Sequence, residues 1–228
     1  MLNLKYMPQH NRLNAILLGF MGGALDVYCH MQFDSLVATQ TGNILLLVAD
    51  WDDNPLSKSI IRLLSILFFS IGFLLATAIK KRAQTAYWRT YCILPLLISS
   101  AILPFFPKVA ALWVILLATA TGMLTLTFTG SQIESHAYTI LMTSGNYRKM
   151  LTSWYQYLTT HDKSPELRRQ ATNYSFVVSS FVLGAVSVAF LDNILHEKTL
   201  WLVTLSLATV CYHYTAIVIR YKLKYSNV

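Results

Sequence analysis

Charged side chains are scarce in this chain of 228 residues. Only 12% of the residues are Asp, Glu, Lys or Arg, against roughly a quarter in an ordinary globular domain. In contrast, 55% are hydrophobic and the mean hydropathy is +0.48. A soluble domain needs more charge than this to cover its surface, so the composition argues against that class.

Cysteine is also scarce, and the three cysteines, Cys29, Cys92 and Cys211, all lie in or beside apolar stretches. Their odd number and wide spacing suggest neither a disulfide framework nor a zinc site. The chain lacks a phosphate-binding glycine loop, a His-Glu zinc helix and a nucleophile elbow. We therefore predict no enzymatic activity, no cofactor and no metal.

Long apolar runs are what the chain has in abundance. Six of them stand out: residues 13–32, 60–79, 91–106, 109–129, 171–191 and 200–219. Most of these reach the ~20 residues that cross a bilayer core, although the third is short and contains Pro95 and Pro104. The pattern predicts an all-α membrane protein, a single transmembrane domain over residues 1–228 with six transmembrane helices and an uncleaved first span.

The positive charges fall mostly on one side of these spans. Most lie in the segments that share a side when the spans are numbered in order: Lys5, Arg12, Lys80, Lys81, Arg82, Arg89, Arg148, Lys149, Lys163, Arg168, Arg169, Arg220, Lys222 and Lys224. The positive-inside rule places this side, and with it both termini, in the cytoplasm. A basic face beside anionic lipid explains the net charge of +8 without a nucleic-acid partner.

A short polar motif occurs once in each half of the chain. The first copy is Thr39-Gln40-Thr41-Gly42-Asn43, and the second is Met142-Thr143-Ser144-Gly145-Asn146. Gly permits a break in a helix, and the hydroxyl and Asn side chains can cap the helix that resumes. Such a break survives in a membrane only where protein or a water-filled cavity satisfies the freed backbone groups. Each motif therefore predicts an interrupted or re-entrant segment.

The two halves resemble each other in layout. Each begins with an apolar segment about twice as long as one crossing needs and continues with two plainer spans. Gly22 and Gly23 precede the first motif, and Gly122 precedes the second. Asp26 lies three residues after Gly23, where the second half has Thr125. Because three spans is an odd number, we predict two inverted three-span repeats, residues 13–107 and 108–220 approximately.

These motifs also carry a resemblance to a known family. The stretch Gly22-Gly23-Ala24-Leu25-Asp26-Val27-Tyr28, followed by Phe33 and by the first polar motif, resembles the first signature of the YoaK-type family of bacterial membrane proteins. The second motif, continued by Tyr147-Arg148-Lys149, is similar to the second signature, with Ser144 where the family usually has Thr. The resemblance implies a six-span protein of the bacterial inner membrane whose function is uncharacterised and is often suspected to be transport.

Asp26 is the sharpest candidate for function. A carboxylate in an apolar span costs several kcal/mol unless it is paired, neutralised or hydrated, so it could couple transport to protons or cations. The alternative is a hydrogen-bonded Asp that only joins helices. Asp26→Asn, tested by uptake, distinguishes the two.

The two motifs are the candidate ligand contacts. Thr41, Gly42, Asn43, Ser144, Gly145 and Asn146, together with Gln40 and Thr143, would present free N–H groups at helix N-termini to an anionic or carbonyl-bearing solute. The alternative is that the motifs only allow tight packing. Gly22, Gly23 and Gly122 are expected to be structural, allowing helices to approach. Since Arg148 and Lys149 follow the second motif at once, we expect that motif to lie nearer the membrane surface.

The prediction that best unites these features is a small secondary transporter of the inner membrane, with a small solute and protons as ligands. A passive channel for a small polar solute and a non-transport scaffold remain as alternatives. The bilayer is a necessary partner in each case. Asp26 argues against a plain channel, whereas the small size of the chain and an expected homo-oligomer favour one.

Overall fold

The computed structural model describes residues 8–50, 56–161 and 163–220. Eight α-helices lie in these ranges: α1 Arg12–Phe33, α2 Gln40–Ala49, α3 Leu56–Arg82, α4 Trp88–Ile102, α5 Ala110–Phe128, α6 Ser144–Thr159, α7 Pro165–Leu195 and α8 Trp201–Arg220. A small antiparallel hairpin, β1 Gln132–Ile133 and β2 His136–Ala137, precedes α6. Lys5, Lys222 and Lys224, counted above among the cytoplasmic cations, lie outside the described residues.

Five helical segments are long and apolar enough to cross a membrane. They are α1, α3, Trp88–Phe105, α5 and the 56-residue stretch Pro165–Arg220. The chain is thus a helical protein of membrane type, as its hydropathy predicts. The last stretch contains α7 and α8, which are separated at His196, where φ is 49°, and by a 3-10 turn.

Polar residues define the ends of the long helices. Asn11 caps α1 by accepting a hydrogen bond from the N–H of Leu13 (2.7 Å). Asp34 ends the same helix in the left-handed conformation, with φ of 54°. Ser164 caps α7, and Pro165 takes the first helical position, where its missing N–H is not needed. Because capping residues extend beyond the apolar run, α7 starts earlier than residue 171, at which hydropathy predicts the span to begin.

α1 packs against α7 with almost no space between their backbones. A Cβ on Gly23 would overlap the carbonyl oxygen of Phe181, and a Cβ on Gly184 would overlap that of Phe20. Each carbonyl lies three residues before the glycine of its own helix, so the contact is reciprocal. Gly23, which is expected to allow close helix approach, lies at this contact.

α3 packs against α5 through the same arrangement. A Cβ on Gly122 would overlap the carbonyl oxygen of Phe69, and a Cβ on Gly72 would overlap that of Thr119. The carbonyls again lie three residues before the glycines. The first helix of each half therefore packs on a helix of the other half, and Gly23 and Gly184 correspond to Gly122 and Gly72.

The long helices pack as a bundle and alternate in direction along the chain. We call the end at which α1 begins the lower end and the opposite one the upper end. The ring of Phe33, at the end of α1, lies 5.9 Å from that of Trp113, near the start of α5, so α1 and α5 are antiparallel. Asn11, just before α1, similarly lies 3.3 Å from His213 in the second half of α8. By such contacts α1, α4 and α7 run upward, whereas α3, α5 and α8 run downward.

The interior is formed mainly by α1 and α5, and the outside is apolar. Trp113, Tyr28 and Phe128 are fully buried. Large apolar side chains on the outer helices are exposed, among them Leu63, Leu67, Leu74, Val182, Leu183, Phe190, Leu205 and Ile219. An exposed apolar surface of this extent is typical of helices in contact with lipid.

Candidate functional site

After α1 the chain turns back into the helical bundle. Residues 35–39, which we call strap 1, return along α1, and α2 then leads toward the upper end again. The carboxylate of Asp26, on α1, binds this strap: its Oδ1 accepts hydrogen bonds from the N–H groups of Val37 (3.1 Å), Ala38 (2.8 Å) and Thr39 (3.4 Å). The hydroxyl of Thr39 donates to Oδ2 at 2.5 Å. Four donors thus replace the water that Asp26 loses on burial.

Asn43, in the first turn of α2, closes strap 1. Its Oδ1 accepts from the N–H of Leu36 (2.8 Å), and its Nδ2 donates to the carbonyl of Leu36 (2.6 Å) and to Gln40 Oε1 (2.8 Å). Asn43 is fully buried. Its amide therefore satisfies backbone groups that the helix break has freed, which is a requirement of any such break in a membrane.

Asn146, in the first turn of α6, does the same in the second half. Its Oδ1 accepts from the N–H of Thr139 (2.8 Å), and its Nδ2 donates to the carbonyls of Thr139 (2.6 Å) and Met142 (3.0 Å). We call residues 138–142 strap 2. Leu36 and Thr139 each lie seven residues before the asparagine that binds them, so the two straps are built alike.

Both straps lie against one face of α1. Strap 1 is bound by Asp26, and a Cβ on Gly22 would overlap the backbone of Leu141 in strap 2. Residues 22 and 26 are one helical turn apart, so the straps contact α1 about 6 Å from one another along its axis. Gly22 thus makes room for a loop, whereas the sequence predicts a helix as its neighbour.

Strap 2 contacts the middle of α1, because Leu141 lies against Gly22, near the midpoint of that 22-residue helix. Arg148 and Lys149, which follow the second motif, line a depression of about 300 Å³ with Gln156 and other polar side chains. That the second motif lies nearer the membrane surface than the first stays a prediction.

Strap 1 is also held by α3. Ser65 donates to the carbonyl of Leu36 (2.6 Å), and Gln40 Nε2 donates to the carbonyl of Val37 (2.9 Å) and lies 3.3 Å from Ser65 Oγ. Gln40, predicted as a ligand contact, is therefore part of the strap's support. Hydropathy gives no sign of Ser65, because a single serine is unremarkable in an apolar span.

Arg62 is a second supporting residue, and no role is assigned to it from the sequence. Its side chain is 3% exposed, and it donates from Nε to the carbonyl of Asp34 (2.9 Å) and from Nη1 to the carbonyl of Leu46 (2.8 Å). It also pairs with the carboxylate of Asp50 at 2.9 Å. Arg62 thus joins the end of α1 to the end of α2. The available signal was a lone arginine within a long apolar helix.

The remaining residues of the two motifs make few side-chain hydrogen bonds. Thr41 and Ser144 are exposed, whereas Thr143 Oγ1 is buried and has no hydrogen-bond partner within the described residues. Gly42 faces the side chain of Leu36, and Gly145 faces Thr139 Oγ1. The three hydroxyls are therefore the motif groups with unused hydrogen-bonding capacity.

The second half has no carboxylate on its strap. Thr125, the counterpart of Asp26, donates its hydroxyl to the carbonyl of Thr121 in its own helix (2.8 Å). Strap 2 instead forms a tight turn from Met142 N–H to the carbonyl of Ile140 (2.6 Å), with Leu141 in a left-handed conformation (φ of 57°). An ionisable group at this position is therefore present in the first half alone.

Larger cavities lie away from the straps, one of about 460 Å³ at the upper end between α4 and α5 and others at the lower end. One of about 470 Å³ is lined by residues of the β-hairpin and α7, including Glu134, His136 and Arg169. Within residues 8–50, 56–161 and 163–220, no cluster of three or more His, Cys, Asp or Glu side chains is placed to hold a metal ion.

Comparison with known proteins gives one match. No curated protein and no solved structure matches the chain. A family model described as "Protein of unknown function (DUF1275)" matches residues 14–213, a range that includes both straps, Asp26 and all four paired glycines. The chain therefore belongs to this uncharacterised DUF1275 family, a match that is consistent with the resemblance its two polar motifs carry.

Proposed function

We propose that this chain is a small secondary transporter with six transmembrane helices in two inverted three-span repeats. In this proposal the lower end faces the cytoplasm, the membrane is the bacterial inner membrane, and the solute is small and polar or anionic. The equivalent glycine contacts, the equivalent asparagines and the opposite directions of α1 and α5 support the repeat.

The observation that carries the proposal is the placement of two non-helical straps, one from each half, one helical turn apart on one face of α1. Unwound backbone inside a membrane is tolerated where it is buried in protein or lines a water-filled cavity. Half-helices that meet near the midplane from inverted repeats form the substrate site of many transporters. The hydroxyls of Thr41, Thr143 and Ser144 are the groups that would contact the solute.

Asp26 would couple the movement of strap 1 to a proton. The ionised carboxylate accepts all four of its hydrogen bonds, so it holds residues 37–39 through its acceptor capacity. A proton on the carboxyl reduces that capacity and adds a donor where Thr39 Oγ1 already donates. Protonation would therefore loosen strap 1 from α1, and deprotonation would restore it.

Flux through proteoliposomes tests the proposal. A panel of small polar and anionic solutes is offered with and without an imposed pH gradient, with empty liposomes as the control. We expect saturable uptake of one solute class that the gradient makes concentrative. Gradient-independent flux that does not saturate would show a passive channel. No flux for any solute in the panel would favour a non-transport scaffold.

A further inference from the structure

A pocket at the lower end of the molecule, between α1, α6 and α7, is lined by several cations. Arg12, Lys163, Arg168 and Arg169 line this cavity of about 400 Å³, together with Tyr157 and Thr172. Arg169 is paired with Glu134, which lines the neighbouring cavity. Among the described residues, Arg12, Lys163 and Arg168 have no carboxylate within ion-pair distance. The pocket therefore has a net positive charge suited to an anion.

An apolar groove continues from this basic pocket. It has a volume of about 310 Å³, and its walls are formed by Ile16 of α1, Trp154 of α6, and Phe176 and Leu183 of α7. Thr172 lines both cavities. The guanidinium of Arg12 also lies 4.5 Å from the centre of the Phe176 ring, so this arginine borders both the charged and the apolar part.

The length of the groove matches one leaflet of a bilayer. From Thr172 to Leu183, α7 rises about 16 Å, and half of a ~30 Å hydrocarbon core is about 15 Å. The groove leads from the lower end of the molecule along α7 toward the middle of the helical bundle. This is the direction that an acyl chain takes in a membrane. A phosphate without an acyl chain would leave it unfilled.

From these features we propose that the basic pocket and the apolar groove together form a binding site for one anionic phospholipid. Its phosphate lies among Arg12, Lys163 and Arg168, and one acyl chain follows α7 past Phe176. This site is separate from the straps and does not depend on transport. Basic pockets between helices at the cytoplasmic side commonly bind lipid head groups in this way.

Native mass spectrometry of the full chain in detergent tests the proposal, with phosphatidylglycerol and phosphatidylcholine of identical acyl chains as the probes. Each cation near an anionic lipid contributes roughly a fivefold preference. We therefore expect Lys163→Gln/Arg168→Gln to lower the retained phosphatidylglycerol at least tenfold. The matched control, Lys81→Gln/Arg82→Gln, removes two exposed cations from α3 and should retain as much as the unmodified chain.

A second variant separates a lipid site from a simple anion site. Ser179 lines the groove and is exposed, so Ser179→Trp should obstruct the acyl chain and lower phosphatidylglycerol binding with the basic pocket unchanged. Inorganic phosphate should compete weakly. The proposal is overturned if the two double variants lose lipid equally, if neither loses it, or if Ser179→Trp has no effect while phosphate displaces the lipid.

Discussion

Asn43 and Asn146, which the sequence suggests as ligand contacts, have a structural role. Both are fully buried, and each uses its amide oxygen and nitrogen on the backbone of its own strap. An amide that is already satisfied has little capacity left for a solute. The hydroxyls beside them, on Thr143 and Ser144, are better placed for that role.

Truncating either asparagine should destabilise the protein. Asn43→Ala and Asn146→Ala each leave a buried N–H and C=O without partners, which costs about 2–4 kcal/mol. We expect a clear fall in the midpoint of thermal unfolding in detergent for both. Thr41→Ala, at an exposed position of the same motif, is the control and should change the midpoint little. Equal midpoints for all three variants would show that the asparagines do not hold the straps.

His10 gives the lower end a dependence on pH. Its Nδ1 accepts a hydrogen bond from the N–H of Gln132 (2.9 Å), which ties the start of the chain to the β-hairpin. Burial and, to a smaller degree, the positive charge of Arg89 lower the pKa of His10 below its ordinary value of 6.5. The unfolded chain therefore binds the proton more readily than the folded one.

The stability contributed by neutral His10 is present above pH 6.5 and is lost as the pH falls from 6.5 toward the lowered pKa of the folded state. The midpoint of thermal unfolding should therefore fall on acidification from pH 8 to pH 5. In His10→Gln, whose side-chain oxygen can accept the same bond, the fall should be smaller. An identical pH dependence in the two proteins would remove His10 as its cause.

At the scale of elements, the sequence predicts the helices well and the straps poorly. Apolar runs long enough to cross a bilayer identify the long helices because lipid leaves the backbone few other choices. The straps depend on contacts between distant positions, such as Asp26 with residues 37–39 or Ser65 with Leu36. Local propensity carries no information on such partners. The motifs predict that the chain breaks there, but not what holds the break.

The glycine contacts between helices are the second element-scale feature. Gly23 and Gly122 could be singled out because they precede the polar motifs, whereas Gly72 and Gly184 are isolated within their spans. Their importance follows from the partner helix, whose carbonyl oxygen occupies the space of a Cβ. That information is absent from any single helix.

Alanine at the isolated glycines should force the helix pairs apart. Gly72→Ala should separate α3 from α5, and Gly184→Ala should separate α1 from α7, each at about 1–3 kcal/mol. Because the contacts are equivalent, the two losses should be similar, as measured by thermal unfolding in detergent. Ser70→Ala, on an exposed position of α3, is the control. A large loss in one variant and none in the other would contradict the equivalence of the two halves.

At the scale of the whole molecule, the proposed topology makes a direct prediction about accessibility. The upper end should face the outside and the lower end the cytoplasm. A membrane-impermeant maleimide applied to intact cells should label Ser57→Cys, Pro107→Cys and Asn193→Cys. Gln84→Cys and Ser135→Cys should react only after permeabilisation. The unmodified chain is the control, since Cys29 and Cys92 are buried and Cys211 is half-buried. Labelling of Gln84→Cys in intact cells would contradict the topology.

The two halves differ most at Asp26, and the proposed coupling of transport to protons depends on this difference. Strap 1 has an ionisable side chain that binds it, and strap 2 has Thr125 at the equivalent place. Asp26→Asn preserves the shape of the side chain and can still accept at Oδ1, so the variant should fold. It can no longer exchange a proton in the physiological range.

The decisive measurement is uptake by Asp26→Asn in proteoliposomes, under an imposed pH gradient, of the solute that the unmodified chain transports. We expect concentrative uptake to be lost while exchange of solute across the membrane without a gradient persists. Thr125→Val, at the equivalent position of the second half, is the matched control and should keep gradient-driven uptake. Undiminished gradient-driven uptake by Asp26→Asn would contradict the claim that Asp26 couples strap 1 to the proton.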